Sequence, residues 1–186
     1  SICPGAPVTF TSAATGNPTP TIQWQVSTNG GMSFSNIGGA TNTTLMFNVA
    51  TVDNANQYRA IFSNSCGIDT SNAAILTVYP VENPDFAYEK NGYCQAGADP
   101  VPIIYGNSGG IFTAPAQLII NSATGQIDVS ASTAGGPYII TYTTGGPCPE
   151  SANFSITIVN CIPGATLTDA LIIDNGVNGK AEPGDR

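Results

Sequence analysis

The stretch Ile22-Gln23-Trp24-Gln25-Val26 alternates apolar and polar side chains, and Tyr58-Arg59-Ala60-Ile61-Phe62 does nearly the same. A period of two sends one set of side chains to a buried face and the other to a wet face, the pattern of a half-buried strand. Working outward, Val8-Thr9-Phe10-Thr11, Thr44-Leu45-Met46-Phe47 and Ala74 to Val78 read as further short strands. Asn29-Gly30-Gly31 and the segment from Asn64 to Gly67 supply turns between them. Short strands at this spacing, punctuated by turn residues, point to a β-sandwich.

Composition agrees. Thr, Ser, Asn, Gly and Pro are abundant and charged residues are scarce, which suits strands and turns better than helices. The 186 residues carry 12 acidic and 4 basic side chains, for a formal net charge of −8. Such a surface repels phosphate backbones and anionic lipid, so no nucleic-acid partner is expected. No apolar run approaches membrane-spanning length, so no direct membrane insertion is expected either. The length suits two domains of roughly 90 residues. Ser1 falls inside what reads as a folded module, so the chain is expected to be a mature or excised fragment.

Several motifs carry a family resemblance. Cys3-Pro4-Gly5, Trp24 in its alternating strand, Asp53-x-Ala55-x-x-Tyr58 and Asn64-Ser65-Cys66-Gly67 together resemble the immunoglobulin-like domains of bacterial surface proteins, over residues 1–79. The resemblance implies that Trp24 is the buried tryptophan of strand C. It also implies that Tyr58 is a tyrosine corner donating a hydrogen bond to backbone, with one extra residue in its spacing. The sequence departs from antibody domains at Ala60, which stands where the inter-sheet cysteine would be.

Pro80 to Pro84 (residues 80–84) reads as a short, semi-rigid linker. A second module is expected over residues 85–160, with strands at Gln126-Ile127-Asp128-Val129, Tyr138 to Thr143 and Phe154 to Val159. Tyr138, Ile140 and Tyr142 share one face, as do Phe154, Ile156 and Ile158. Leu118, Ile120, Asn121, Thr124, Gly125, Ile127 and Tyr138 match a pattern that resembles immunoglobulin-like and cadherin-like repeats of Bacteroidetes-type surface proteins. The two modules do not align convincingly with one another. Residues 161–186 resemble a linker or the opening of a further surface β-domain. The expected fold class is therefore all-β: two tandem immunoglobulin-like β-sandwiches plus the start of another unit.

The five cysteines are Cys3, Cys66, Cys94, Cys148 and Cys161, with no CxxC pair and no histidine in the chain. Zinc is poorly served by that set, and disulfides in an oxidising compartment are the better reading. Spacing alone leaves the connectivity open. The two-module parse selects Cys3–Cys66 and Cys94–Cys148 and leaves Cys161 unpaired.

Chemistry has few candidates. Asp174, Asn178, Glu182 and Asp185 sit in a Gly-containing stretch whose oxygens suit calcium. Their spacing departs from an EF-hand loop, and the same stretch also reads as a polar linker. Catalysis lacks a histidine base and a GxSxG elbow. Asp53 with Asp69 and Asp85 with Glu89 are the available acid pairs, and each has a simpler corner or linker reading. Trp24 and Tyr105 are candidate sugar-stacking aromatics, the first better read as core. Lys90 is a candidate for an isopeptide cross-link, but nothing places it facing a core.

The expected function is a non-enzymatic structural or adhesive module at the cell surface or outside the cell. It would act as a stiff spacer, or as a repeat of an adhesin or extracellular filament. Its expected partners are neighbouring domains, copies of itself, or surface glycans and proteins. The alternative is a carbohydrate-binding or spacer module attached to a secreted enzyme. A third reading is assembly into a fibre by strand addition between subunits.

Overall fold

A computed structural model describes residues 1–161. The first module contains β1 (Pro7–Thr11), β2 (Thr21–Ser27), β3 (Ser35–Asn36), β4 (Thr44–Asn48), β5 (Gln57–Asn64), β6 (Gly67–Thr70) and β7 (Ala74–Ile75). Strands β1 and β4 form one sheet, and the other runs β3-β2-β5-β6 with β7 also paired to β5. The alternating stretches quoted above form the centre of that larger sheet, where Trp24 pairs with Ala60 across the β2–β5 ladder.

That pairing sets a large side chain opposite a small one, and both are buried. The sheets then meet through aromatic rings. Phe10 on β1 stacks on Tyr58 of β5 with centroids 4.7 Å apart. Phe47 on β4 lies 5.3 Å from Tyr58, and Phe10 lies 6.4 Å from Trp24. These rings bridge the space that a cysteine pair crosses in antibody domains. The indole N–H of Trp24 donates to the Asn42 carbonyl at 2.8 Å, so its one polar atom is satisfied inside the core.

The chain enters β5 through a corner. A 3-10 turn at Thr51–Asp53 precedes it, and Ala55 takes φ 68° to reverse direction. The Asp53 carboxylate accepts from the Ala50 N–H at 2.8 Å and from the Asn56 side-chain amide at 3.3 Å. The expected backbone bond from Tyr58 is not formed. Its hydroxyl lies beside the Asn56 side chain instead, whose amide donates to Asp53.

The second module contains β8 (Phe86–Ala87), β9 (Gly92–Cys94), β10 (Ile103–Ile104), β11 (Ile111–Thr113), β12 (Gly135–Thr143) and β13 (Ser151–Val159). Its main sheet runs β11-β12-β13-β9, with β9 parallel to β13, and β8 pairs with β10. Ile140, Tyr142, Ile156 and Ile158 point into the core, and Phe86 meets Phe112 edge-on at 5.4 Å. Tyr138 and Phe154, expected on the same faces, are only partly buried.

Residues 126–129 are not a strand, contrary to the sequence expectation. Ile127 makes an isolated bridge to Ile120. The backbone N–H groups of Ile127, Asp128 and Val129 donate to the Pro100 carbonyl, the Ile119 carbonyl and the Asp99 carboxylate respectively. Their partners lie on separate segments, so no ladder forms. Yet Ile127 and Val129 are fully buried, which is why the alternation read as a strand.

Two outcomes follow from these cores. Trp24→Ala leaves a void opposite Ala60, and chemical denaturation followed by circular dichroism should show a loss of roughly 3–5 kcal/mol. A loss below about 1 kcal/mol contradicts the packing. In the second module the buried Tyr88 hydroxyl donates to the Gly125 carbonyl. Burial, and then the charge of Tyr93, raise its pKa above that of a free phenol. A raised folded-state pKa means that the neutral phenol's contribution is complete below about pH 10 and is lost as pH climbs beyond it. Tyr88→Phe should therefore cost about 1 kcal/mol at neutral pH and flatten the alkaline fall in stability. An alkaline slope identical to that of the parent chain contradicts this.

Candidate functional site: the joint between the modules

The most constructed polar region lies where the modules meet. It begins in the second core, where Tyr142 is fully buried. Its hydroxyl donates to the Asn107 carbonyl at 2.7 Å and accepts from the Gly110 N–H at 3.0 Å. Asn107 in turn holds the linker: its N–H donates to the Asn83 carbonyl at 2.7 Å, and its side-chain oxygen accepts from the Asn83 N–H at 2.8 Å. The Asp85 carbonyl accepts from Tyr105 and Gly106. The linker is thus hydrogen-bonded along the second module and does not swing free.

Gly106 makes this backbone approach possible, and Gly146 leaves room for the Glu82 side chain. A β-carbon at Gly106 would fall 2.0 Å from the Asn83 carbonyl oxygen. One at Gly146 would fall 1.3 Å from the Glu82 carboxylate, which accepts from the Gly146 N–H at 3.2 Å. On the other side of the joint, Ile2 bridges Val78 in parallel, and the Tyr79 N–H donates to the Ile2 carbonyl at 3.0 Å. The N-terminal edge of the first module is therefore laid beside the start of the linker.

A disulfide closes the joint. Cys3 bonds to Cys148, in the turn between β12 and β13, with Cα atoms 5.6 Å apart. The second bond joins Cys94 to Cys161 at the opposite end of the β9–β13 pair. Cys66 is a free, exposed thiol. This corrects the expected Cys3–Cys66 and Cys94–Cys148 pairs, and it gives Cys161 a partner. Cys3 sits by Val49 and Val78, near where β5 begins, whereas Cys66 sits in the turn after β5 ends. An eight-residue strand separates those ends by roughly 25 Å, far beyond the reach of a disulfide. Cys94 and Cys148 are likewise at opposite ends of β13. The sequence expectation assumed that each bridge stays within one module, and the geometry breaks that assumption.

The other sequence candidates are placed as follows. Trp24 is buried and offers no stacking face, while Tyr105 is 65% exposed beside the joint. Asp53 is the corner residue described above, and Asp69 lies on β6, opposite the far part of β5, so the two carboxylates do not converge. Asp85, Glu89 and Lys90 are exposed. The calcium candidates Asp174, Asn178, Glu182 and Asp185 lie outside the described residues.

Comparison with known proteins adds to this geometry. A family model described as "Domain of unknown function (DUF8696)" matches residues 1–80. Endoglucanase C of Cellulomonas fimi is 40% identical over 74 residues, which are 40% of this chain and 6% of that protein. The chain thus matches only a small part of that curated relative. Among solved structures, the N-terminal four Ig domains of Dscam1 isoform 6.9 overlap with a TM-score of 0.40 at 16% identity, covering 86% of this chain and 42% of that one. The N-terminal eight Ig domains of Down Syndrome Cell Adhesion Molecule isoform 1.30.30 overlap with a TM-score of 0.39 at 16% identity, covering 87% and 25%. Overlaps this loose carry no argument, and the all-β sandwich assignment rests on the strand pairing above.

The pairing is checked by digesting the unreduced, alkylated protein. Mass spectrometry should find peptides linked through Cys3–Cys148 and Cys94–Cys161, with Cys66 alkylated. A Cys3–Cys66 peptide contradicts the joint.

Proposed function

We propose that the chain is a non-catalytic spacer of an extracellular protein, built to hold its two modules in line and to carry tension. The observation that carries this reading is the Cys3–Cys148 bond, which spans 145 positions and both sandwiches. Tension entering at Cys3 passes through sulfur to Cys148 and then along β13 to Cys161, so the first core is bypassed and β13 alone of the second module lies in the direct path of force. Disulfides also fit an oxidising, extracellular setting. Among the described residues no group of three metal-ligating side chains gathers, and Asp53 and Asp69 do not converge. The surface role of the spacer, structural or adhesive, is part of this proposal.

A second reading keeps the same mechanics and makes the spacer an appendage of a secreted enzyme. The identity with part of Endoglucanase C favours it. Sugar binding by this chain has less support, because the exposed aromatics are the separate residues Tyr79 and Tyr105.

Single-molecule pulling from the two ends tests the mechanical claim. Under oxidising conditions the chain should release none of the length between Cys3 and Cys148. After full reduction the sandwiches should unfold and release roughly 500 Å, whereas the Cys3→Ser/Cys148→Ser variant, in which Cys94–Cys161 still closes its loop, should release roughly 300 Å. Full release from the oxidised parent chain would overturn the reading.

A further inference from the structure

Although the two modules do not align readily, the fold gives them the same two cysteine positions. In each, the N-terminal edge pairs in parallel with the last segment of the module: Ile2 with Val78, and Tyr93 with Ile158. Cys3 and Cys94 each follow that paired residue directly. The flanking sequence agrees, with Cys3-Pro4-Gly5-Ala6-Pro7-Val8 set against Cys94-Gln95-Ala96-Gly97-Ala98-Asp99-Pro100-Val101, two residues longer. The other position is the turn after the central strand: Cys66 after β5 and Cys148 after β12.

One bond in the structure shows what these positions do together. The N-edge cysteine of the first module, Cys3, is joined across the module boundary to the turn cysteine of the second, Cys148. The N-edge cysteine of the second module is closed by Cys161. Only Cys66 is left open, and it lies at the end of the first module remote from this joint. Its turn is already shaped. The Asn64 side-chain oxygen accepts from the Cys66 N–H at 2.9 Å and from the Gly67 N–H at 3.2 Å. The Asn64 amide donates to the Pro18 carbonyl at 2.8 Å, which fixes the turn to the preceding loop.

We propose that Cys66 is the open half of a second inter-module joint. Its partner is the N-edge cysteine of another module of this kind, stacked on the first module as the first is stacked on the second. The two thiols lose two protons and two electrons to form the sulfur–sulfur bond. A small disulfide such as oxidised glutathione accepts them and is reduced to two thiols. Joints made this way repeat with one polarity, turn cysteine to N-edge cysteine, and give a linear array. The proposal rests on the geometry of the Cys3–Cys148 joint and stands even if that joint bears no tension.

The test mixes the parent chain, whose free thiol is Cys66, with the full-length Cys66→Ser/Cys161→Ser variant, whose free thiol is the N-edge Cys94 and whose Cys3–Cys148 joint is intact. Oxidised and reduced glutathione are the redox buffer, and linked peptides are quantified by mass spectrometry. The mixed Cys66–Cys94 product should exceed Cys66–Cys66 dimers at least tenfold. A Cys66→Ser/Asp69→Cys chain, which keeps the native joint and moves the thiol along the exposed β6 strand, should lose that preference. Native Trp24 fluorescence of each chain verifies its fold. A second acceptor, Cys3→Ser/Cys66→Ser with Cys148 free, should give no preferred adduct with Cys66. Statistical pairing among all thiols, or no Cys66–Cys94 product, overturns the proposal.

Discussion

The Cys3–Cys148 bond is the constraint on which the arrangement of this chain depends. A disulfide tolerates Cα separations of only about 4.4–6.8 Å, so it fixes the N-terminal edge of one sandwich against a turn of the next. It does not act alone. The Tyr142 hydroxyl, buried in the second core, orients Asn107, and Asn107 holds Asn83 in the linker by two hydrogen bonds. The position of the linker is thereby set by a core residue, and Gly106 allows the backbone of Asn83 to come that close. Each link is modest by itself, at about 1 kcal/mol for a hydrogen bond. The covalent bond keeps their geometry from being lost when any one opens.

Within each module the cores are independent. The first is an aromatic contact between sheets, in which Phe10, Phe47 and Tyr58 span the gap that Ala60 leaves without sulfur. The second gathers around Phe86, with a four-stranded sheet and an irregular segment that buries Ile127 and Val129. With no disulfide inside the first sandwich, all of its covalent reinforcement is at the joint. That distribution suits a part whose task is to hold a direction.

The first module was the more legible in sequence, because alternation over 22–26 and 58–62 maps directly onto a two-sided ladder. Trp24 announced its own burial by its place in that alternation. Residues 126–129 misled for a physical reason: alternate burial does not require ladder hydrogen bonds, and here the donors are split between Ile119 and the Asp99-Pro100 segment. The Tyr58 hydroxyl lies beside the Asn56 side chain and does not reach the expected backbone acceptor. The joint was hidden because bridges were confined to one module in advance. The signal that reveals it, the Cys-to-Pro-Val pattern shared by residues 3–8 and 94–101, gains meaning only once both are seen beside a parallel pairing.

The central claim is that the joint makes the two sandwiches one rigid body. Residual dipolar couplings measured for backbone amides of both modules in one weakly aligned sample test it most directly. In the oxidised chain a single alignment tensor should fit both modules, and after reduction the two should require tensors of different magnitude. Distinct tensors in the oxidised chain would contradict the account.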